Sequence, residues 1–121
     1  MQINLEQADK HSVQAYTENS LKINDAWYSQ NLIVNNQSII TDWSAKSICS
    51  LTHEDLQPVL ESNPEIIIIG HQEKGIFPPA ELMAATARER IGLESMSIDA
   101  ACRTFNILLN EQRNVALVIL W

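Results

Sequence analysis

The sequence has few of the residues that build well-known metal, cofactor and catalytic sites. Only 3 glycines, 2 cysteines and 3 histidines occur in its 121 residues. The glycines match neither a dinucleotide-binding fingerprint nor a phosphate-binding loop, which need closely spaced glycines. The histidines are scattered and the cysteines unpaired, so the spacing of a zinc site is missing as well. We therefore expect no metal and no cofactor and assign no catalytic residue, although a metal-independent enzyme stays open.

Positive charge is also scarce. Lys and Arg number 8 against 15 Asp and Glu, which gives a formal net charge of −7. A phosphate backbone or an anionic membrane surface binds proteins through basic patches. The composition therefore argues against nucleic acid as a partner and against an anionic membrane as the main one.

Long hydrophobic runs are absent. No apolar segment approaches the ~20 residues that span a bilayer. Glu6, Asp9 and Lys10 interrupt the stretch where a secretory signal would have its apolar region. Cys49 and Cys102 stand far apart and suggest buried or idle thiols in place of a disulfide framework. We expect a cytoplasmic protein without a transmembrane segment.

Two short apolar runs are the strongest structural signal that is present. Residues 66–69 are consecutive isoleucines, and residues 115–120 read Val-Ala-Leu-Val-Ile-Leu. Unbroken β-branched runs indicate strands that are covered on both faces, and the intervening chain is long enough for the helical crossovers that parallel strands need. The sequence predicts an α/β protein with a single domain over residues 1–121.

The N-terminal third predicts an antiparallel meander of about four short strands. Turn-forming polar residues separate apolar segments at 17–20 and 35–37. The strands are expected at residues 12–16, 21–23, 27–34 and 38–43.

Three helices are predicted after the meander. The first would start at Thr52 and stop at Asn63, with Pro58 implying a kink or a late start. The second would start at Pro79 and stop at Gly92. Its inner stripe would consist of Leu82, Met83, Ala87 and Ile91. A short strand at 93–96 would precede the third helix, which would start at Ser97. The inner stripe of that helix would consist of Ile98, Ala101, Cys102, Phe105, Leu108 and Leu109.

One loop stands out because ligands in open α/β sheets gather beyond the carboxyl ends of the strands. It follows the isoleucine strand and combines polar donors, a titratable histidine and an apolar Ile76–Phe77 pair. Its candidate ligand or partner residues are Gly70, His71, Gln72, Lys74 and Phe77. The plainer interpretation is that Phe77 anchors the loop and His71 is an exposed surface residue. The functional interpretation is a small pocket or a docking edge.

The polar side of the third helix is a second candidate. It presents Asp99, Arg103, Asn106, Asn110 and, further on, Arg113. Such a face is usually solvated or braced by local hydrogen bonds. We favour a structural role for Arg103, which could tie down strand ends or Glu94.

A family resemblance is carried by residues 94–113, which read ESMSIDAACRTFNILLNEQR. This stretch resembles the signature of the domain of unknown function 498 family, in which Glu-x-Met and small residues precede Ala-Cys-Arg-Thr-Tyr/Phe-Asn, a Leu and Glu-x-Arg. The run from Pro64 to Gly70 and the opening hairpins fit the same family, so the likeness covers nearly the whole chain. The resemblance implies a three-layer β+α/β/α domain with a mixed central sheet. It also singles out Arg103, Thr104, Asn106, Glu111 and Arg113 as candidate site residues.

The same resemblance bears on function. Animal members of the family include an assembly factor of respiratory complex I and an adipogenesis-associated protein, and no catalytic residues are agreed for the family. Relatives often carry Gly-Thr-Gly where this chain has Gly70-His71-Gln72. This departure weakens an anion-binding interpretation of the loop, because a side chain in place of glycine restricts close backbone approach.

Three functional hypotheses stay open. The leading one is a non-enzymatic interaction protein that aids assembly of a membrane or respiratory complex through a protein partner. Trp27, Trp43 and Trp121 would then be interface residues, unless they pack in the core or at its edges. The alternative is a small-molecule-binding domain, or a minor enzyme, that uses the loop after the Ile66–Ile69 strand. The third is a homodimer without an activity of its own.

Overall fold

The computed structural model describes residues 11–121, so the part of the signal-peptide argument that concerns residues 1–10 lies outside the described residues. Eight strands, three α-helices and one 3₁₀ turn occur in this part of the chain. In chain order they are β1 (Ala15–Tyr16), β2 (Leu21–Ile23), β3 (Ala26–Tyr28), β4 (Leu32–Val34), β5 (Ile39–Ile40), the 3₁₀ turn (Ile48–Ser50), α1 (Gln57–Leu60), β6 (Ile66–His71), α2 (Ala80–Arg88), β7 (Gly92–Ser97), α3 (Ile98–Asn110) and β8 (Val115–Leu120).

A five-stranded mixed sheet forms the centre of the fold, with strand order β5-β4-β8-β6-β7. Strand β6 pairs in parallel with β7 on one side and β8 on the other, whereas β4 runs antiparallel to β8 and β5. The two apolar runs are therefore inner neighbours, and Ile68 and Val118 are both buried. This confirms the inference that unbroken β-branched runs are covered on both faces.

The N-terminal strands divide between two sheets. Strands β1, β2 and β3 form a separate antiparallel sheet, while β4 and β5 join the central one. The β2–β3 hairpin turns at Asn24 and Asp25, whose φ angles of 52° and 64° suit a two-residue turn with a left-handed backbone.

The predicted single strand over 27–34 is wrong, because it is interrupted between Tyr28 and Leu32. Within the interruption, Asn31 donates to the carbonyl oxygen of Ala45 at 3.0 Å and accepts from the Trp121 amide at 2.8 Å. These side-chain bonds redirect the chain from the small sheet into the central one.

Two hydrophobic layers cover the central sheet. On one face, Phe105 of α3 packs with Leu21 and Ile23 of the small sheet. On the other face, residues before and within α1 and α2 pack against the alternate side chains of the strands, among them Leu56 and Leu82. The arrangement is the three-layer β+α/β/α architecture that the resemblance implied.

Helix α1 is shorter than predicted because it starts late. Thr52 and Asp55 bond each other reciprocally: each backbone N–H donates to the other side chain, at 3.0 and 3.1 Å. This capping geometry encloses a turn, and the α-helix begins only at Gln57, with Pro58 in its first turn.

Only part of the stripe predicted for helix α2 packs inward: Leu82 is buried and Ile91, just after the helix, is half-buried against the same core. Leu82 and Thr86 are buried, and Thr86 satisfies its hydroxyl by donating to the Leu82 carbonyl at 3.2 Å. Met83 and Ala87 lie one position further round the helix and are exposed. The predicted stop at Gly92 is also wrong, because Arg90 takes the left-handed conformation with φ 62° just after the helix, and Gly92 opens β7.

The inner stripe of α3 is confirmed, with Leu108 half-buried and the other five predicted residues buried. Burial raises the pKa of the Cys102 thiol to about 12, while Cys49 is exposed; both cysteines are free. Two tryptophans pack at edges of the core, where the indole N–H of Trp43 donates to the backbone oxygen of Asp55 and that of Trp121 to the backbone oxygen of Gln30.

Candidate functional site

A cleft of about 650 Å³ opens at the carboxyl ends of β6 and β7. The register pairs His71 with Ser97, so these parallel strands end side by side. The connection after β6 leads to α2 on one face of the sheet and that after β7 to α3 on the other. Adjacent strands whose connections leave to opposite faces create the switch point where α/β sheets bind ligands.

The loop over residues 71–77 forms one wall of the cleft. The Ile76 amide donates to the Glu73 carbonyl at 3.3 Å and closes a turn in which Gly75 has φ 75°. Gln72 donates through Nε2 to the backbone oxygen of Glu18 at 2.6 Å. This bond holds the loop against the β1–β2 turn, which forms the opposite wall.

His71 lies at the floor of the cleft and is only 7% exposed, so the interpretation of a solvated surface residue is wrong. Its Nδ1 accepts a hydrogen bond from the Glu73 backbone N–H at 3.2 Å. Burial lowers the pKa of the imidazole, partly opposed by the Glu73 carboxylate. The ring is therefore neutral at pH 7 with its proton on Nε2.

The rim of the cleft is apolar and exposed. Phe77 is 71% exposed, and Ile76 and Tyr16 are exposed beside it. The interpretation that Phe77 anchors the loop is wrong, because the buried residue at this point is the following Pro78. An aromatic ring left in water at the mouth of a cleft is available to a ligand or partner.

The lining charges lie near the start of α3 and in the two walls. The Asp99 carboxylate accepts from the Ser97 hydroxyl at 2.6 Å, and this bond, followed by one from the Ala100 backbone, holds the pKa of Asp99 below its usual range. Arg103 donates through Nη1 to the Tyr16 hydroxyl at 3.2 Å and to Asp99 at 3.4 Å. Arg103 thus ties α3 to β1 at the rim and forms neither a hydrogen bond nor an ion pair with Glu94, one of its predicted partners.

Of the loop candidates, His71, Gln72, Lys74 and Phe77 line the cleft, but Gly70 does not. Gly70 lies beneath α3, where an added Cβ would stand 2.9 Å from the Ala101 Cβ and 3.1 Å from the Ile98 Cα. Its role is to let α3 approach the sheet closely.

The remaining resemblance-derived candidates lie outside the cleft. Asn106 accepts from the Val13 amide at 2.8 Å and donates to the Val13 carbonyl at 3.0 Å, so it clamps the segment before β1 onto α3. The Thr104 hydroxyl lies 3.6 Å from the Met96 sulfur. Glu111 is exposed just after α3, and Arg113 binds Glu65 at the opposite end of the sheet.

Sequence reasoning missed much of the lining. The missed residues are Tyr16, Thr17, Glu18, Ser95, Met96, Ser97 and Ile98, the last of which was predicted only as a core residue. The last four follow from the strand-end rule once β7 is placed beside β6. Nothing local marks the first three, because their place depends on how the small sheet docks.

The other histidines of the described residues lie elsewhere. Nδ1 of His11 donates to the Asn35 carbonyl at 2.6 Å, and His53 pairs with Glu89 at 2.9 Å. Within residues 11–121, no group of three or more His, Cys, Asp or Glu side chains could hold a metal ion. Over the same residues, each helix is too short or too polar to cross a membrane.

Comparison with known proteins places this architecture among bacterial relatives. The chain is 34% identical over 107 residues to a 13 kDa major membrane protein of Francisella tularensis subsp. holarctica, covering 87% of this chain and 86% of that one. The NMR structure of a Xanthomonas campestris protein superimposes with a TM-score of 0.83 at 32% identity, over 99% of this chain and 92% of the other. An outer membrane protein from Bartonella henselae gives a TM-score of 0.78 at 30% identity, over 92% and 94% of the two chains.

The family itself follows from a match over nearly the whole chain. Residues 13–120 match the family described as "Protein of unknown function (DUF498/DUF598)". This range includes both sheets, the three helices and the cleft. The resemblance drawn from residues 94–113 is therefore confirmed. This chain belongs to the DUF498/DUF598 family.

Proposed function

We propose that the protein is a binding domain that holds a small, largely apolar molecule in the cleft at the carboxyl ends of β6 and β7. One observation carries the proposal: a buried imidazole, whose Nε2–H bonds no other group of residues 11–121, lies beneath an exposed apolar rim that includes Phe77. Ligand sites generally combine an apolar lining with a few placed polar groups. This geometry favours the small-molecule hypothesis over the other hypotheses from the sequence.

The state of the polar groups supports binding in preference to acid–base catalysis. The Nδ1 atom of His71 is committed to the Glu73 amide, and Asp99 is held ionised by Ser97 and Ala100. A carboxylate kept ionised is a poor general acid. These groups can orient a ligand without exchanging protons with it.

A thermal-shift screen of metabolites tests the proposal. A ligand at ~100 times its dissociation constant stabilises the folded state by about 2.7 kcal/mol. Phe77→Ala should reduce the response to any hit, whereas Ile107→Ala should not, because Ile107 is 59% exposed and lies outside the cleft lining. Lys74→Ala tests the rim charge. If a ligand shifts the melting temperature of Phe77→Ala and Ile107→Ala equally, that ligand binds outside the cleft.

A second candidate function is contact with a protein partner, which the exposure of Phe77 and Ile76 favours. The Francisella relative and the Bartonella neighbour are named as membrane proteins. We infer that a partner at a membrane, such as a complex under assembly, is the kind to seek. The exposed thiol of Cys49 suits a reducing compartment and supports a cytoplasmic location.

Affinity capture from detergent-solubilised membranes tests this second candidate. A specific partner should be recovered with the parent and the Ile107→Ala variant but lost with Phe77→Ala. Light scattering on the purified protein shows whether the partner is a second copy of the chain. Equal recovery with all three proteins would contradict a role for the rim.

A further inference from the structure

The charges around the cleft disfavour an anionic ligand. Among the lining residues within the described part of the chain, Glu18, Glu73 and Asp99 carry carboxylates and Lys74 carries an ammonium group. Arg103 lies at the rim but already donates to Tyr16 and Asp99. The chain as a whole carries a formal net charge of −7. An anion would therefore enter against both the local and the overall field.

The floor of the cleft offers a hydrogen-bond donor. Because the Glu73 amide donates to Nδ1 of His71, the neutral ring carries its proton on Nε2. Nε2 bonds no other group of residues 11–121, yet no enclosed side-chain nitrogen or oxygen in this range lacks a partner. Nε2 is therefore open to the cleft that His71 lines. A ligand is expected to bring an acceptor to this atom.

The walls supply apolar contact on more than one side. Ile76 and Phe77 lie on the loop side, and Met96 and Ile98 lie at the end of β7 and the start of α3. Tyr16 faces them from the small sheet, held by Arg103. A flat aromatic or aliphatic body would bury these side chains, and aromatic contacts add to the gain from buried area.

Together these observations identify a ligand class, on the basis of the proposed function. We propose that the cleft selects an uncharged molecule with an aromatic or aliphatic body and a carbonyl oxygen. The carbonyl oxygen accepts from Nε2–H of His71, and the body packs against Phe77, Ile76 and Met96. Amides and ketones fit this description.

The charged analogues fit less well for different reasons. An ammonium group has only donors and meets the N–H of His71 with its own N–H groups. A carboxylate can accept this bond, but it meets three lining carboxylates, Glu18, Glu73 and Asp99, against the single ammonium group of Lys74.

A matched series of probes tests the selection. The probes are 2-naphthaleneacetamide, 2-naphthaleneacetate and 2-(2-naphthyl)ethylamine, which share one ring system and differ in the charge of the polar end. Binding is measured at pH 7.5 from the shifts of backbone amide resonances of the full chain during titration. The amide should bind at least about tenfold more tightly than the amine, as expected when one hydrogen bond is replaced by an uncompensated polar contact. It should also bind more tightly than the acetate, which the surplus of lining carboxylates repels.

Three variants separate the contributions to binding. Phe77→Ala should weaken all three probes by a similar factor, because it removes contact with the shared ring. His71→Leu should remove most of the preference for the amide over the amine, because these two probes differ in whether they can accept from Nε2–H. Glu73→Gln changes an exposed side chain and should keep the fold, so it still tests the selection if His71→Leu does not fold. It should narrow the difference in affinity between the amide and the acetate.

The outcomes distinguish failure of the inference from failure of the proposed function. If the acetate or the amine shifts the cleft resonances at concentrations as low as the amide does, the selection is wrong while the cleft remains a binding site. A preference over the amine that is unchanged in His71→Leu, or a preference over the acetate that is unchanged in Glu73→Gln, also overturns the selection. If no probe shifts the amide resonances of residues 71–77 and 95–99, both the selection and the proposed function are wrong.

Discussion

The two ends of the parallel strands differ in how their polar groups are used. At the amino ends of β6 and β8, Arg113 donates through Nε and Nη2 to one oxygen of Glu65, each at 3.2 Å. The Asn114 side chain donates to the backbone oxygens of Ser62 and Asn63 at 2.9 and 2.8 Å. The backbone N–H of Glu65 donates to the backbone oxygen of Asn114 at 2.7 Å and completes this network.

At the carboxyl ends of β6 and β7 the side chains meet around a space. His71 has one nitrogen bonded and one open, and Phe77 and Ile76 are exposed at the rim. Polar residues in a family-like signature are therefore not equivalent. Glu111 and Arg113 lie at the closed end, where Arg113 fixes the strands, whereas the open end offers binding chemistry.

The largest expected effect comes from the buried strand on which both ends depend. Ile68→Ala should destabilise the protein by about 2–5 kcal/mol, because Ile68 is buried in the central strand and its truncation leaves a cavity. Urea unfolding measures the change. Ile66→Ala is the matched control and should cost less, because Ile66 is half-buried at the strand start. Equal costs would contradict the burial pattern of β6.

A smaller effect should distinguish the two ends through their glycines. Gly70→Val should destabilise the protein by about 1–3 kcal/mol, since the new Cβ would meet the backbone of α3 at Ile98 as well as Ala101. Gly92→Ala, at the amino end of β7, would meet the flexible side chain of Ile66 at 3.3 Å and should cost less. Hydrogen exchange should show the loss of protection in the first turns of α3 for Gly70→Val alone. Protection lost at the Glu65–Arg113 end would contradict this account.

The two ends should also respond to different ranges of pH. The pKa of His71 is lowered in the folded state. Below about pH 6.5 the imidazole is therefore protonated in the unfolded chain while it stays neutral in the folded one. The contribution of His71 is therefore complete above that pH and is lost as the pH falls towards the lowered value. The pKa of Glu65 is lowered by the Asn114 amide and by Arg113, so its contribution is lost only in more acidic solution.

Thermal unfolding between pH 7.5 and 3 tests this separation. His71→Leu should remove part of the fall in Tm just below pH 6.5 and leave the acidic part unchanged, whereas Glu65→Gln should do the reverse. If His71→Leu changes the fall in Tm only in more acidic solution, the assignment of a neutral, buried imidazole to His71 is wrong.

The sheet and α3 could be predicted from the sequence because the signals are local. The unbroken run before Gly70 and the helical spacing from Ile98 to Leu109 state which side chains are buried, wherever their partners come from. The buried face of α2 was harder to predict. Thr86 is polar and becomes a core residue only because its hydroxyl donates to the Leu82 carbonyl.

The cleft could be half predicted. The strand-end rule located His71 and its loop, since it depends only on where β6 stops. The wall opposite depends on a bond from Gln72 to Glu18 between residues 54 positions apart. Likewise Asn106 looks like a free polar residue on α3, and its partner Val13 lies 93 positions away. A periodic pattern carries no information about such pairings.

The smallest expected effect compares one surface bond from each end. Arg113→Gln removes the ion pair with Glu65, and because both groups are partly exposed to water it should lower Tm by at most about 3 °C. It should leave the binding of 2-naphthaleneacetamide unchanged, because Arg113 lies outside the cleft lining.

Gln72→Ala is the counterpart at the open end. It removes the bond to the Glu18 carbonyl and should change Tm as little, since Gln72 is exposed. It should nevertheless weaken the binding of the amide, because the loop over 71–77 is then no longer held against the β1–β2 turn and the cleft loses its shape. Resonance titrations of the two variants side by side measure the difference. Equal binding by both variants would show that the Gln72 bond has no role in shaping the site.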